Sequence, residues 1–343
     1  MIIIRGIKYR YKKLKYYTDL VKRFTGKNKM MDIFLSKLFL NVPYRHYFLF
    51  YFYKKPWNVR KDYIMDNQLD YSFKYNKGVT ADSEIDKSGV VNMTKQFMNR
   101  KVIRTDNLSY EDFQNFTDSL TSFFYKPMNG CGGDGIEKFY INKYSSLKEL
   151  YSKINSYPRG ILEETIVQHK DMDKLCPSVL QTIRFLVFRH KDGPKIIFAS
   201  VRTAINKDAV VDNASAGGAF ANINLETGRI QTNAFRSISD FEDIDKYDMG
   251  LFTENGLAVH PITGTLFKGF QIPCFAEAKQ LVVDIVENVN FEDRRLLGLD
   301  IAISEKGPVL VEANINRPGF DAVWQTACKS IPLKPILDEM LKE

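Results

Sequence analysis

The sequence predicts an α+β protein in which antiparallel hairpins predominate. Three observations carry this prediction: short β-rich runs alternate with loops from about Thr121 onward, two helical patterns lie among those runs, and the first 60 residues have the composition of helices. A chain of 343 residues can form one large core or two to three packed subdomains. We expect three zones: a basic, aromatic, helical region at 1–60, a linker or N-terminal part of the main unit at 61–120, and the main unit at 121–343.

Residues 1–60 predict helices because Lys and Arg are interleaved with Leu, Phe and Tyr, and Pro43 should break the pattern. Most of the charge lies here. Residues 1–62 hold sixteen Lys or Arg and three Asp or Glu, a net charge of +13, whereas the remaining 33 basic and 38 acidic residues give −5. The longest apolar run, Tyr47–Tyr53, has seven residues, far fewer than the ~18 of a membrane-spanning helix.

Residues 61–120 are more polar. A loop is expected over "YNKGVTADSEIDKSG" (75–89), and a helix over "SYEDFQNFTDSL", which opens with Ser109 as its N-cap and acidic residues in its first turn. From Thr121 the expected strands are "SFFYKP", "IEKFYI", "GILEETIV", "TIRFLVFRH", "KIIFASVRTAI", "AFANINL", "LGLDIAIS" and "GPVLVEANI". The expected helices among them are "SLKELYSKINSY" and "EAKQLVVDIVENV".

Cysteine usage indicates a reducing compartment. The four cysteines, Cys131, Cys176, Cys274 and Cys328, form no CxxC pair, which argues against a disulfide scaffold and against a zinc site. The first residues carry neither the apolar segment nor the cleavage site of a signal peptide. We expect a cytoplasmic protein without a nucleic-acid partner.

The stretch "KPMNGCGGDGI" places a lysine at the end of one predicted strand and four glycines before the next. Glycines allow backbone N–H groups to approach phosphate oxygens closely, and Lys126 can add a point charge to the same phosphates. The spacing is neither that of the Walker motif nor that of the dinucleotide fingerprint. For this loop alone, a phosphate-binding loop and a glycine-rich turn beside a surface lysine fit equally well.

A second hairpin is predicted over "LGLDIAISEKGPVLVEANINRPG", with "SEKG" in its turn. Folding it about Lys306 places Asp300 opposite Glu312, with Cβ atoms ~5 Å apart, and Asn314 shares the strand face of Glu312. One Asp, one Glu and one Asn amide oxygen would converge, and such hard oxygen ligands suit Mg²⁺ bridging nucleotide phosphates. The alternative is a solvated hairpin face with incidental acids, but "PVLVEANI" is too apolar to be expected at an exposed edge, and buried acids would need a cation.

The order of these elements resembles that of ATP-grasp enzymes. The lysine and glycine-rich hairpin, "ILEETIVQH", "TIRFLVF" and "GLDIAIS…GPVLVEANINRPG" follow one another as in that superfamily. The stretches "KPMNGCGGDGI", "EETIVQHKDM", "VDNASAGGAF" and "HPITG" are most similar to its sugar-transfer-associated branch. The resemblance spans about Thr121 to Gln325, and residues 1–60 lie outside it. It implies the ATP-grasp fold, in which two α+β subdomains grip ATP.

The resemblance also implies where ATP and Mg²⁺ would bind. Lys126 would contact the α- and β-phosphates, and the loop at 130–135 would close over the β- and γ-phosphates through Gly130, Gly132, Gly133 and Gly135. The adenine and ribose would lie at "LEETI", against Glu163, Glu164 and Ile166, with Glu164 as the main partner. One or two Mg²⁺ ions would be held by Asp300, Glu312 and Asn314.

Three further residues are implied to act at the transferred phosphoryl group. Arg184 and Arg202 match arginines that such ligases keep at the γ-phosphate and the acyl phosphate, and Asn213 matches an Asn-x-x-x-Gly-Gly element near the phosphates and metal. Both arginines could instead be ordinary strand-edge ion-pair residues. The sequence departs from the pattern at two places. Thr182 stands where many members have Asp, and the second phosphate lysine is assigned only weakly, to Lys95 with Lys101 as the rival.

The implied activity is that of a carboxylate–amine ligase. A substrate carboxylate would attack the γ-phosphate of ATP to give an acyl phosphate, and an amine would then displace phosphate. The acid could be a sugar acid or a cell-surface glycan precursor. Two alternatives stay open: an ATP-grasp phosphotransferase acting on a hydroxyl, and a nucleotide-binding module without turnover.

The basic N-terminal segment suggests contact with an anionic membrane or a lipid-linked acceptor, because each Lys or Arg near an anionic leaflet contributes about 1 kcal/mol. Aromatic residues also favour the interface. Packing of these aromatics on the main unit explains the composition equally well. The chain is therefore expected to be cytoplasmic, either free or peripheral at the inner membrane surface.

Overall fold

The computed structural model describes residues 2–65, 75–76, 85–128, 135–209, 212, 217–238, 244–316, 318–319, 324–326 and 331–342, with side chains from residue 6 onward. Two antiparallel sheets, one of four strands and one of five, are preceded by a helical N-terminal region. The predicted α+β class with a helical N-terminal region is confirmed. Between the strands and helices lie short 3₁₀ turns at Phe52–Lys54, Lys95–Phe97, Ile141–Lys143, Ile244–Lys246 and Met249–Phe252.

Helices form the N-terminal region as predicted. They are α1 (Ile2–Thr25), α2 (Met30–Leu40), α3 (Tyr44–Leu49) and α4 (Trp57–Arg60). Asn41 ends α2 in a left-handed conformation (φ 52°), and Pro43 is the N-cap of α3, so the chain breaks where the proline predicted. Among the described residues, no helix has both the length and the apolarity needed to cross a membrane.

The first sheet has the strand order β1-β4-β2-β3. Its strands are β1 (Val102–Arg104), β2 (Ser122–Pro127), β3 (Glu137–Tyr140) and β4 (Gly160–Glu164). Two helices cover it, α6 (Tyr110–Thr117) and α7 (Leu147–Asn155), and their N-caps Ser109 and Ser146 each accept a backbone N–H. Sequence reasoning missed β1, and also α5 (Lys87–Thr94), which Asp86 caps inside the predicted loop.

The second sheet has the strand order β7-β6-β5-β8-β9. Its strands are β5 (Thr182–His190), β6 (Gly193–Thr203), β7 (Ala219–Ile223), β8 (Leu296–Ser304) and β9 (Gly307–Asn314), and each overlaps a predicted run. The remaining helices are α8 (Lys170–Asp173), α9 (Phe275–Asn288) and α10 (Lys334–Met340). α9 packs on one face of this sheet, and α10 on the other.

One hydrophobic core joins the N-terminal helices to the second sheet. Tyr17, Leu20 and Val21 of α1 are buried in the same cluster as Phe185 and Val201 of the sheet. The aromatic run Tyr47–Phe52 belongs to this region too, with every side chain at most 2% exposed. Of the two explanations for the N-terminal aromatics, packing on the main unit is the one that applies to this run.

Candidate active site

Lys126 lies in the middle of the first sheet. It is in β2, beside β4, and its ammonium nitrogen is 2.8 Å from Glu163 Oε2. Arg100, two residues before β1, donates to the same oxygen from Nε (3.1 Å) and Nη2 (2.8 Å). Glu163 is 5% exposed. Burial by itself raises the pKa of Glu163, but the charges of Lys126 and Arg100 outweigh it and hold that pKa at about 2.

Arg100 also connects this cluster to the second sheet. Its Nη1 donates to the carbonyl of Leu310 (2.5 Å) and its Nη2 to the carbonyl of Val311 (3.1 Å), both in the edge strand β9. The register of β8 and β9 shifts here, so that Val311 is an extra residue in β9. A bulge of this kind disrupts the regular alternation of backbone groups, and Arg100 donates to two successive carbonyls there. The Lys126–Glu163 cluster therefore borders β9 directly before Glu312.

Sequence reasoning considered Lys95 and Lys101 for an upstream phosphate lysine, and missed Arg100. Lys101 donates from Nζ to the carbonyls of Asn115 (3.3 Å) and Asp118 (2.6 Å) at the end of α6, and so lies away from Lys126. Lys95 is exposed, in a cleft that it lines with Val102 and Arg104. Only the position of Arg100 just before β1 could have pointed to it, and β1 is too short to be recognised from the sequence pattern.

Around this cluster, the structure describes three more of the predicted ATP contacts. Gly135 has φ +71°, and a Cβ there would lie 3.0 Å from Pro127 Cγ, so the position favours glycine on two grounds. Glu164 Oε2 accepts the backbone N–H of Lys101, on the sheet face opposite Glu163, while Ile166 is half-buried just past β4. The predicted loop residues Gly130, Gly132 and Gly133 lie outside the described residues.

Asp300 is the centre of a second cluster, in β8. The carboxylate is fully buried and accepts from Arg184 (Nε to Oδ1 2.5 Å, Nη2 to Oδ2 3.0 Å) and from Arg202 (Nη2 to Oδ2 2.9 Å). Asn314 Nδ2 lies 3.3 Å from Oδ2. Burial raises the pKa of Asp300, but the two arginines outweigh it and hold that pKa below its ordinary value.

The predicted pairing of Asp300 with Glu312 is confirmed and the turn lies in "SEKG" as predicted, but the predicted fold point at Lys306 is wrong. Glu305 and Lys306 form a two-residue turn, so Ser304 pairs with Gly307, and the bulge at Val311 restores the pairing of Asp300 with Glu312. The expectation that "PVLVEANI" is not an exposed edge holds for its side chains Val309, Leu310 and Ala313, which are buried. It fails for the strand, because β9 is an edge strand and Glu312 is exposed. The cations that compensate the buried Asp300 are arginines.

Asp300, Glu312 and Asn314 fit a hard cation by their chemistry. Two carboxylates and one amide come together, and because Nδ2 of Asn314 faces Asp300, its Oδ1 is left without a hydrogen bond in the described part of the chain. Clusters made only of His, Cys, Asp and Glu are a separate type of metal site, and the described residues contain no group of three.

Arg202 is held by a threonine and a second buried aspartate. Its Nε and Nη2 donate to Thr182 Oγ1 (2.9 and 2.7 Å), and that hydroxyl donates to Asp212 Oδ2 (2.6 Å), which also accepts the Thr182 N–H (2.7 Å). Burial raises the pKa of Asp212, against the opposing charge of Arg202. Within the described residues, Nη1 of Arg202 makes no hydrogen bond, so one end of this guanidinium remains for a ligand. Sequence reasoning missed Asp212, and saw Thr182 only as a departure from a pattern.

Arg184 is fully engaged by protein groups on three sides. Besides Asp300, it donates from Nη1 to the carbonyls of Pro318 (2.9 Å) and Gly319 (3.0 Å), and the residue is 7% exposed. These contacts fix Asp300 against the chain that follows β9. The third predicted residue of this group, Asn213, lies outside the described residues.

Comparisons with known proteins give one family and several remote structures. A model described as sugar-transfer associated ATP-grasp matches residues 66–330. Similar structures include the ATP-grasp ligase PsnB complexed with minimal precursor, Mg and ADP, at 14% identity, 78% of this chain, 61% of that chain and a TM-score of 0.42. N5-carboxyaminoimidazole synthetase from Staphylococcus aureus complexed with ADP is 13% identical over 70% of this chain and 46% of that chain, with a TM-score of 0.39. The D-alanine–D-alanine ligase from Coxiella burnetii is 10% identical over 75% of this chain and 56% of that chain, also with a TM-score of 0.39. The chain spans about three fifths of the length of PsnB. No curated protein matches it.

Proposed function

This chain belongs to the sugar-transfer associated ATP-grasp family, and on that premise we propose that it is an ATP-dependent carboxylate–amine ligase. Its fold is that of ATP-grasp enzymes. The observation that carries the proposal is the bridge made by Arg100, which joins Glu163 and Lys126 in the first sheet to the β9 carbonyls beside Glu312 in the second. Because of this bridge, a single nucleotide can meet groups from both sheets.

The charges of the two clusters are opposite in sign. In the first, Arg100 and Lys126 share the single carboxylate of Glu163, which leaves one positive charge. In the second, the cations of Arg184 and Arg202 meet the carboxylates of Asp300, Asp212 and Glu312, which leaves one negative charge. An anion is favoured at the first cluster and a cation at the second, as a metal–nucleotide complex would require.

In this proposal the nucleotide lies along the first sheet. Lys126 contacts the α- and β-phosphates, and the loop of Gly130, Gly132, Gly133 and Gly135 covers the β- and γ-phosphates. Glu163, Glu164 and Ile166 border the adenine and ribose. The geometry supports a division of labour between the two glutamates: Glu163 orients Lys126, while Glu164 faces the other side of β4.

Asp300, Glu312 and Asn314 would hold one or two Mg²⁺ ions, which when bound would neutralise phosphate charge. The protein's own cations act beside them. Arg202 presents Nη1, which has no hydrogen bond among the described residues, to the transferred phosphoryl group. Arg184 holds Asp300 in place, and Asn213 would act on the same phosphoryl group. Positive groups fixed in a buried site stabilise charge that develops there in the transition state.

The reaction has two steps. A carboxylate oxygen of the substrate attacks the γ-phosphorus, the bond to the bridging oxygen breaks, and ADP leaves. An amine nitrogen then attacks the carbonyl carbon of the acyl phosphate, inorganic phosphate leaves, and the amine loses one proton. We propose a sugar acid or a cell-surface glycan precursor as the acid, in polysaccharide biosynthesis.

The test is a screen of carboxylates and amines for stimulated ADP release, with Glu312→Gln as the inactive control. A pair that stimulates release and yields an amide supports the ligase. A stable phosphate ester formed from a hydroxyl substrate would show that the enzyme is a phosphotransferase and not a ligase. Tight Mg–ATP binding without release for any substrate would indicate a binding module.

We propose that the enzyme works in the cytoplasm, peripherally at the inner membrane surface through residues 1–60. The boundaries at residues 60 and 120 are proposals as well. Because β1 pairs with β4, the catalytic unit would extend upstream of 121 to include residues 102–104.

A further inference from the structure

The outer face of α2 is apolar. Met31, Phe34 and Leu38 lie at helical spacing and are 67%, 44% and 61% exposed, and Phe39 beside them is 69% exposed. The buried residues Ile33 and Ser36 lie on the opposite side. The exposed side of a helix in a globular protein is normally polar, so an apolar outer face indicates that something covers it.

The outer face of α1 is basic. Lys8, Lys12 and Lys15 repeat at helical spacing and are exposed, on the side opposite the buried Tyr17, Leu20 and Val21. The first 17 residues of the chain contain six Lys or Arg and no Asp or Glu. Three exposed apolar side chains, Ile7, Tyr9 and Tyr11, lie among these charges.

The helices that carry these two faces pack against each other, and both contact α3. Along α1, Arg10 and Lys13 lie near Tyr44, where their charges oppose the rise that burial causes in its pKa, and Tyr44 opens α3 four residues after α2 ends. The basic half of α1 is therefore next to the C-terminal end of α2, where Leu38 and Phe39 are exposed. We call Met31, Phe34, Leu38 and Phe39, together with Lys8, Lys12 and Lys15, the N-terminal patch.

We propose that the N-terminal patch binds the surface of an anionic lipid bilayer, with the apolar side chains of α2 in the acyl boundary and the basic side chains of α1 at the headgroups. This contact rests on the proposed peripheral association and specifies its residues. They belong to α1 and α2, and not to the aromatic run at 47–52, which is buried. Paired apolar and basic faces are the signature of interfacial helices. A second copy of the chain fits less well, because a two-fold contact would bring one basic α1 against another.

Co-sedimentation of the full chain with vesicles tests this assignment. We expect binding to vesicles of phosphatidylcholine mixed with phosphatidylserine, and much weaker binding to phosphatidylcholine alone. The double substitution Leu38→Gln and Phe39→Gln should weaken binding about tenfold or more, because two apolar side chains no longer enter the interface. Lys8→Gln with Lys12→Gln should weaken it about fivefold for each charge.

Two matched controls separate the patch from general effects. Leu266→Gln removes an equally exposed leucine elsewhere (62%), and Lys191→Gln with Lys195→Gln removes two exposed charges from the β5–β6 hairpin. Both should bind like the unmodified chain. Equal binding by the patch variants and the controls, or no binding to the anionic vesicles, would overturn the proposal. So would a lipid-free dimer that the Leu38→Gln and Phe39→Gln variant dissociates, since the occupant would then be a second copy. None of these vesicle-binding results depends on ADP release. The membrane proposal and the ligase proposal can therefore fail independently of each other.

Discussion

Lys126 and Glu163 form an ion pair of 2.8 Å between neighbouring strands, and Arg100 donates to the same carboxylate oxygen. One carboxylate thus holds two cations in place without neutralising both. The pair orients Lys126, and the remaining positive charge attracts an anion to the point where the two sheets meet. The proposed nucleotide site depends on this arrangement.

Lys126→Met should weaken Mg–ATP binding about tenfold or more, because a charged hydrogen bond to phosphate contributes about 1.5–3 kcal/mol. Isothermal titration measures this affinity directly. The matched control is Lys138→Met on β3, whose ammonium lies against the Phe124 and Tyr140 rings. If both variants bind Mg–ATP as the unmodified chain does, Lys126 is not a phosphate ligand.

Glu163→Gln should lower the free energy of unfolding by about 3 kcal/mol at pH 7, because removing one partner leaves buried charge uncompensated. The pKa of Glu163, about 2, is below its ordinary value of 4.5. Its carboxylate therefore stabilises the fold above pH 4.5, and this contribution is lost as the pH falls toward 2. Urea unfolding at several pH values should show the difference between the two proteins narrowing below pH 4.5. Glu305→Gln, in an exposed turn, is the control. A difference that does not change with pH would rule out the ionised pair as its source.

Thr182→Val should weaken Mg–ATP binding, since Arg202 would lose the hydroxyl that holds its Nε and Nη2. Some loss of stability, about 1–3 kcal/mol, is also expected from the unpaired buried groups. Thr203→Val removes another buried hydroxyl, on β6 beside His260, and controls for that loss. Equal nucleotide affinities of the two variants would show that Thr182 does not position Arg202 for phosphate.

Glu312→Gln should leave the melting temperature nearly unchanged, because the side chain is exposed and the replacement has almost the same shape. Mg²⁺-dependent ADP release should fall at least about tenfold, because one charged metal ligand is lost. Glu305→Gln, two residues before β9, again serves as the control. If Glu312→Gln releases ADP as fast as the unmodified chain at every Mg²⁺ concentration, Glu312 is not a metal ligand.

The strands could be predicted because their apolar runs are long and bounded by turn residues. β1 was not predicted because its three half-buried residues, Val102–Arg104, are too few to show a recognisable hydrophobic alternation. The pairing of Asp300 with Glu312 was predicted from a strand register that is wrong by one residue next to the turn. The bulge at Val311 compensates for this error. A bulge leaves little trace in a single sequence, because the extra residue is an ordinary valine.

Contacts between residues far apart in the chain could not be predicted from the sequence either. Arg100 meets Glu163 and Val311, and Asp212 meets Thr182, over separations that no local pattern encodes. The exposed face of α2 was missed for a different reason. Its Phe and Leu residues resemble those of the buried run at 47–52, and only the packing distinguishes which of them face solvent.

The most direct test of the central claim follows an oxygen atom. With the acid and amine identified by the screen, the carboxylate is labelled with ¹⁸O and the inorganic phosphate is analysed by mass spectrometry. Attack of a carboxylate oxygen on the γ-phosphorus, followed by displacement of phosphate from the carbonyl carbon, transfers one labelled oxygen from each acid to phosphate. We expect one ¹⁸O in the phosphate for every amide formed. Amide formation with unlabelled phosphate would contradict the acyl-phosphate mechanism proposed for this site.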